Sequence, residues 1–110
     1  MSKSATEYLR HIIDEIDFLQ KESSPLSEDE FMRDDVRERA FARSLEIIGE
    51  AVKNIPEEFK NSHTQIDWKS FAGLRDKLIH HYFGVDYALV WDVVKHELPE
   101  LKKKLEEILH

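Results

Sequence analysis

The stretch "RDKLIHHYFGVDY", residues 75–87, gathers Arg75, His80, His81 and Tyr82 within eight residues. Arginine carries a planar, permanently charged fork that matches a phosphate. Histidine titrates near neutrality and moves protons. Together, without metal ligands, they suit cleavage of an RNA phosphodiester, in which the ribose 2'-hydroxyl is the nucleophile. The protein then supplies a proton shuttle and a positive group for the phosphorane charge. Such a reaction leaves a 2',3'-cyclic phosphate and needs no cofactor. A plainer reading stands beside it, because cations are favoured near a helix C-terminus whatever the protein does.

Geometry restricts both readings. Arg75 and Tyr82 are seven residues apart and would share one helix face. His80 follows Arg75 by five, roughly 140° round an ideal helix. The pair therefore needs a helix distorted near Gly84, or a second chain or helix to complete the site. His80 and His81 point about 100° apart on a regular helix, so one metal would not easily take both. The chain has no His-Glu-x-x-His and no phosphate-binding glycine loop, and no metal site is expected.

The whole chain sets bounds. Its 110 residues fit one domain, 1–110, long enough to bury a core without disulfides or metals. Cysteine is absent, which removes thiol nucleophiles and cysteine metal sites and suits a reducing compartment. "MSKSATEYLRHIIDEIDF" has no uninterrupted apolar run, so no signal peptide is expected. No stretch approaches a membrane span. A cytoplasmic protein without membrane contact is the expectation. The net charge of −7, from 16 basic and 23 acidic residues, argues against broad non-specific binding of nucleic acid. An RNA site must then be local.

The elements that must position the motif are helical throughout. Leu9, Ile12, Ile13, Ile16 and Leu19 mark a first helix over about 4–21. Ser27 and Glu30 form a capping-box pattern opening a second, which ends near Asn54 before Pro56. Phe41, Leu45, Ile48 and Val52 make one stripe on it. Val36, Ala40, Ile47 and Ala51 make an adjoining one. This arc is wider than one packing seam needs, and it suits either several neighbours or a partner chain. Arg37 and Ser44 fall inside it, at a cleft, at a rim or in a buried hydrogen bond. "PEEFKNSHTQ" reads as a connection with room for one helical turn. Asp67 caps a third helix with Trp68, Phe71, Leu74, Leu78 and Tyr82 on its face, stopped by Gly84. Asp86 caps the next. Tyr87, Trp91, Val94, Leu98, Leu101, Leu105 and Ile108 keep their spacing through Pro99, which implies a kink or two collinear helices. Trp68, Phe71, Tyr87 and Trp91 are assigned to the core. The expected architecture is an all-α bundle of four or five helices.

At this point "FAGLRDKLIHHYFGVDYALVWDVVKHELPELKKKL" and the upstream "ARSLEIIGEAVKNIP" resemble the HepT-like toxins of the HEPN superfamily. Their Arg-x4-His-x-Tyr motif is matched by Arg75, His80 and Tyr82. The resemblance implies a homodimeric HEPN-like bundle and a metal-independent endoribonuclease whose two Arg/His sets meet between subunits. It also implies a toxin–antitoxin pair of type VII character, with a minimal MntA-like nucleotidyltransferase as antitoxin. Tyr82 would be the residue that receives AMP, placing negative charge where RNA phosphate must sit. On this reading Arg75 and His80 are catalytic, and Asp76 supports them or is simply a solvated carboxylate. Lys77 adds local charge or is merely exposed, and His81 is incidental. The alternative is a non-catalytic dimeric helical module that pairs with a nucleotidyltransferase.

Overall fold

Ser4 opens the first helix by accepting the Glu7 amide on its hydroxyl, the usual device for satisfying a free helix-start donor. The computed structural model that begins there describes residues 4–79 and 84–110. Helix α1 spans Ala5–Ser23 and buries Leu9, Ile12, Ile16 and Leu19. Ser27 and Glu30 form the expected capping box, with both reciprocal bonds present. It opens only α2, Glu28–Phe31. The long central helix α3, Asp35–Asn54, has its own start, Asp34, which accepts the Arg37 amide. The expected single helix is thus two, because Asp34 takes up extended backbone to cap α3, which breaks the helical run that Ser27 opens.

Helix α4 covers Glu57–Asn61, α5 Trp68–Ala72, α6 Leu74–Leu78 and α7 Tyr87–Asp92. A π-helical turn, Val93–Glu97, then leads into α8, Leu98–Leu109. The Leu98 amide bonds to the Val93 carbonyl five residues back. This wide turn answers the Pro99 question. Proline lacks a donor and crowds the preceding turn, and widening that turn relieves the crowding. Val93, Val94, Leu98, Leu101 and Leu105 stay buried through it.

The core is the space between α1, α3 and the α7–π–α8 run, filled by residues such as Phe31, Phe41, Leu45, Ile48 and Val90. Phe31 stacks between Phe41 and Trp91, with ring centroids 4.9 and 5.2 Å away. Trp68 and Trp91 are buried, while Phe71 and Tyr87 pack half-buried against the core. The described residues form eight α-helices and no strand. That exceeds the expected four or five because α2, α4, α5 and α6 are single turns. No described helix is long and apolar enough to cross a membrane.

The two stripes of α3 part company. Phe41, Leu45, Ile48 and Val52 are all buried. On the second, Ala51 is buried, Ala40 and Ile47 are half-covered, and Val36 is 78% exposed. Ser44 is 2% exposed and donates to the Glu15 carboxylate at 2.7 Å, which selects the buried hydrogen bond among the three placements open to it. Arg37 sits at the rim, with ion pairs to Asp34 at 2.8 Å and Glu22 at 3.5 Å.

Candidate active site

The third helix expected from Asp67 to Gly84 is not one helix. Asp67 caps α5 as anticipated, accepting the Ser70 amide. Gly73 then separates α5 from α6, and α6 ends at Leu78. Ile79 is extended and forms an antiparallel bridge with Val85, while the Asp86 amide bonds to the Leu78 carbonyl at 2.8 Å. The five-residue step from Arg75 to His80 therefore does not run along one helix, and the 140° argument lapses. His80, His81 and Tyr82 lie outside the described residues, so their roles are untouched by this geometry. The flanks of their segment are fixed side by side by the bridge.

The signals for the break were local. Gly73 lowers helix propensity, and β-branched Ile79 and Val85 favour extended pairing. Gly84 has φ +106°, a left-handed conformation that side-chain-bearing residues rarely adopt. It thus serves the return of the chain into Val85, and α6 ends at Leu78 without it. Asp86 caps α7 through the Leu89 amide, as expected.

Packing holds α6 in place. Leu74 and Leu78 are buried, so Arg75, Asp76 and Lys77 face solvent. Gly49 on α3 permits the approach of this layer, since a Cβ there would lie 3.3 Å from the Phe71 carbonyl oxygen. Lys77 reaches Glu97 on the π turn at 3.5 Å, tying α6 to the C-terminal run. Among the described residues, Arg75 has no carboxylate within 4 Å. An exposed guanidinium on a buttressed turn keeps its fork available for an anionic ligand. Asp76 follows it into solvent and touches no other ionic group among the described residues. No group of three or more His, Asp or Glu among the described residues is placed to hold a metal ion.

Comparison with known proteins gives this arrangement its context. The family model "Ribonuclease HepT-like" matches residues 12–108. The "Putative RNase TTE0752" of Caldanaerobacter subterraneus subsp. tengcongensis is 51% identical over 107 residues, covering 97% of this chain and 96% of its own. The "Probable ribonuclease HepT" of Thermococcus cleftensis is 43% identical over 108 residues, covering 98% of each chain. No solved structure matches at a significant level. With a family model spanning most of the sequence and near-full-length relatives of this identity, the chain belongs to the HepT-like ribonuclease family.

Proposed function

We propose that this protein is a metal-independent endoribonuclease, the toxin of a toxin–antitoxin pair of type VII character, acting through Arg75 and His80. The observation that carries the reading is Arg75, exposed and without a carboxylate partner among the described residues, on a turn held by buried Leu74 and Leu78. The family supplies the class of reaction.

The ribose 2'-oxygen attacks phosphorus as its proton passes to a base. The 5'-oxygen leaves and takes a proton from an acid. The products are a 2',3'-cyclic phosphate and a 5'-hydroxyl end. Arg75 donates to the non-bridging oxygens and stabilises the charge that grows on them. One imidazole cannot accept and donate in the same step, so a homodimer presenting two copies of His80 gives one base and one acid. Val36, exposed near the start of α3, fits such a partner copy. Asp76, which reaches neither Arg75 nor Lys77, supports the site through His80. Tyr82 is the site at which an MntA-like nucleotidyltransferase adds AMP, blocking the cleft with phosphate charge.

The test is cleavage of single-stranded RNA with chelator present. Wild-type protein should cut, and Arg75→Ala and His80→Ala should not. Undiminished cutting by both variants, or a requirement for added metal, overturns the mechanism. Intact RNA together with a stable nucleotidyltransferase complex favours the non-catalytic module instead. For the switch, reaction with the partner enzyme and ATP should raise the intact mass by AMP units, and Tyr82→Phe should abolish the rise.

A further inference from the structure

An acidic protein that handles RNA needs cations placed locally, and the described surface sets three lysines along one groove close to Arg75 in the chain, with Lys69 the one not paired to a carboxylate among the described residues. A groove of about 780 Å³, in the size range of ligand clefts, runs between the end of α3, helix α4, the 62–67 segment and the outer side of α5. Lys53, Lys60 and Lys69 line it. Glu57 and Asp67 are its acidic members, and both are engaged, Glu57 with Lys60 at 3.7 Å and Asp67 as the α5 cap. Lys53 meets Glu50 at 3.5 Å in an exposed pair of the kind that exchanges readily for a phosphate. Lys69 is exposed and has no carboxylate within 4 Å among the described residues.

The groove wall is built in advance. The Trp68 indole N–H donates to the His63 carbonyl at 2.9 Å, and Lys104 on α8 donates to the Gln65 carbonyl at 2.9 Å. His63 stacks on Phe59 with centroids 4.3 Å apart. These contacts leave the side chains of Asn61, Thr64 and Gln65 exposed on the groove, as donors for hydroxyl and phosphate oxygens. Trp68 is too buried to stack on a base. The groove therefore offers lysines for phosphates and no exposed ring on which a base could stack.

Its position points the same way. Ala72 lines the groove at the end of α5, and Arg75 follows it by three residues across the Gly73 break. Three residues of chain span at most about 11 Å. A strand whose phosphate lies at Arg75 can continue into the groove without crossing the molecule. From this we infer that the groove is a second RNA subsite, which holds the backbone of the strand flanking the scissile phosphate with little regard to sequence. The inference rests on the ribonuclease reading, and its test is kept separate from catalysis.

The probe is a fluorescein-labelled twelve-nucleotide RNA, bound to the full-length His80→Ala protein and followed by anisotropy across a salt series. Lys53→Glu with Lys69→Glu in that background should weaken binding about tenfold or more at low salt, and lower the salt slope by about 1.4 for two lost single-strand contacts. Lys21→Glu makes half of that charge change at the other end of the bundle, and Lys69→Glu alone is its charge-matched comparison. Lys21 lies beside Glu22, which pairs with Arg37, and Arg37 is about 24 Å along α3 from Lys53. Lys21→Glu should leave the affinity within twofold, and oligo-U and oligo-A should bind alike. Circular dichroism confirms that each variant is folded. Equal binding by the double variant and its parent, or equal weakening by Lys21→Glu, overturns the subsite. If wild-type protein fails to cut RNA yet the lysine variants weaken binding as described, the catalytic reading falls and the groove stands.

Discussion

Gly84→Ala isolates what the turn beside the motif contributes. Gly84 has φ +106°, and a Cβ added there would meet no atom within 4 Å. The substitution therefore creates no clash, and its entire cost is backbone strain, about 1–3 kcal/mol for a side-chain-bearing residue in such a region. The chain can relieve that strain by opening the Ile79–Val85 bridge and the Asp86 to Leu78 bond at 2.8 Å. Each such bond is worth only about 0.5–1.5 kcal/mol net, so relief and strain are of similar size. Two consequences follow. The melting temperature should fall by several degrees if the bridge holds, at roughly 4 °C or more per kcal/mol for a domain near this size. It should fall less if the bridge opens. If the bridge opens, the flanks of the segment carrying His80 and Tyr82 shift instead, and misplacement on the ångström scale is worth up to about a hundredfold in rate. Thermal unfolding followed by circular dichroism, with RNA cleavage assayed well below the transition, reads both quantities. Gly84→Asn, which tolerates positive φ better, should fall between wild type and Gly84→Ala. Gly84→Ala with wild-type melting and wild-type cleavage would refute the reasoning.

Other perturbations test the packing and the charges. Phe41→Ala removes a fully buried ring that touches Phe31 and Phe18, and should cost about 3–5 kcal/mol in denaturant unfolding. Burial raises the Glu38 carboxyl above the ordinary carboxylate range, and repulsion from Asp35 and Asp34 adds to the rise. The folded protein thus favours its protonated form, so Glu38 contributes stability at acid pH that is lost as pH rises through its folded value. Glu38→Gln should be more stable than wild type at neutral pH, with the difference vanishing in acid; an equal gain at every pH would contradict this. Asp34 behaves oppositely, because hydrogen bonds from Arg37 lower its carboxyl. Asp34→Asn should lose stability at neutral pH and converge with wild type as pH falls below the usual aspartate value. Val36→Asp places a charge at an exposed position near the start of α3, and light scattering should find it shifted from a dimer toward the 13.0 kDa chain while its helical content is kept.

Helical periodicity made the long elements legible, because a buried stripe must recur at three and four wherever a helix lies on a core. Leu9 to Leu19, Phe41 to Val52 and Val94 to Leu105 all face inward as the spacing requires. The caps Ser27, Asp67 and Asp86 are equally readable, since each places an oxygen where free amides need an acceptor. The register across Pro99 was visible, but the π turn that preserves it was not, since nothing in the one-letter pattern states how wide a turn is. The miss at α5 and α6 has a physical reason too. Trp68, Leu74 and Leu78 continue one apolar face across Gly73, so periodicity alone cannot tell one helix from two short ones on the same surface. What decides is the backbone, through a glycine of low helix propensity and two β-branched residues able to bridge.

That same break changes how the motif must be understood. On a continuous helix, Arg75 and His80 would diverge, and the pairing would have to come wholly from elsewhere. With α6 ending at Leu78, the chain leaves the helix through the extended Ile79 and comes back at Gly84 and Val85. The arginine then belongs to the packed part, held by Leu74, Leu78 and the Lys77–Glu97 tie, while Ile79 and Val85, on either side of residues 80–83, are joined by their bridge. A single-turn helix followed by a bridged return is a weak scaffold in isolation. It becomes adequate here because α3 lies directly beneath it, close enough that even one methyl group at Gly49 would press on the Phe71 carbonyl. Gly49→Ala should for that reason lower RNA cleavage more than its effect on stability predicts, by displacing the layer that carries Arg75. If it melts early but cuts at the wild-type rate below its transition, the layer does not position the arginine.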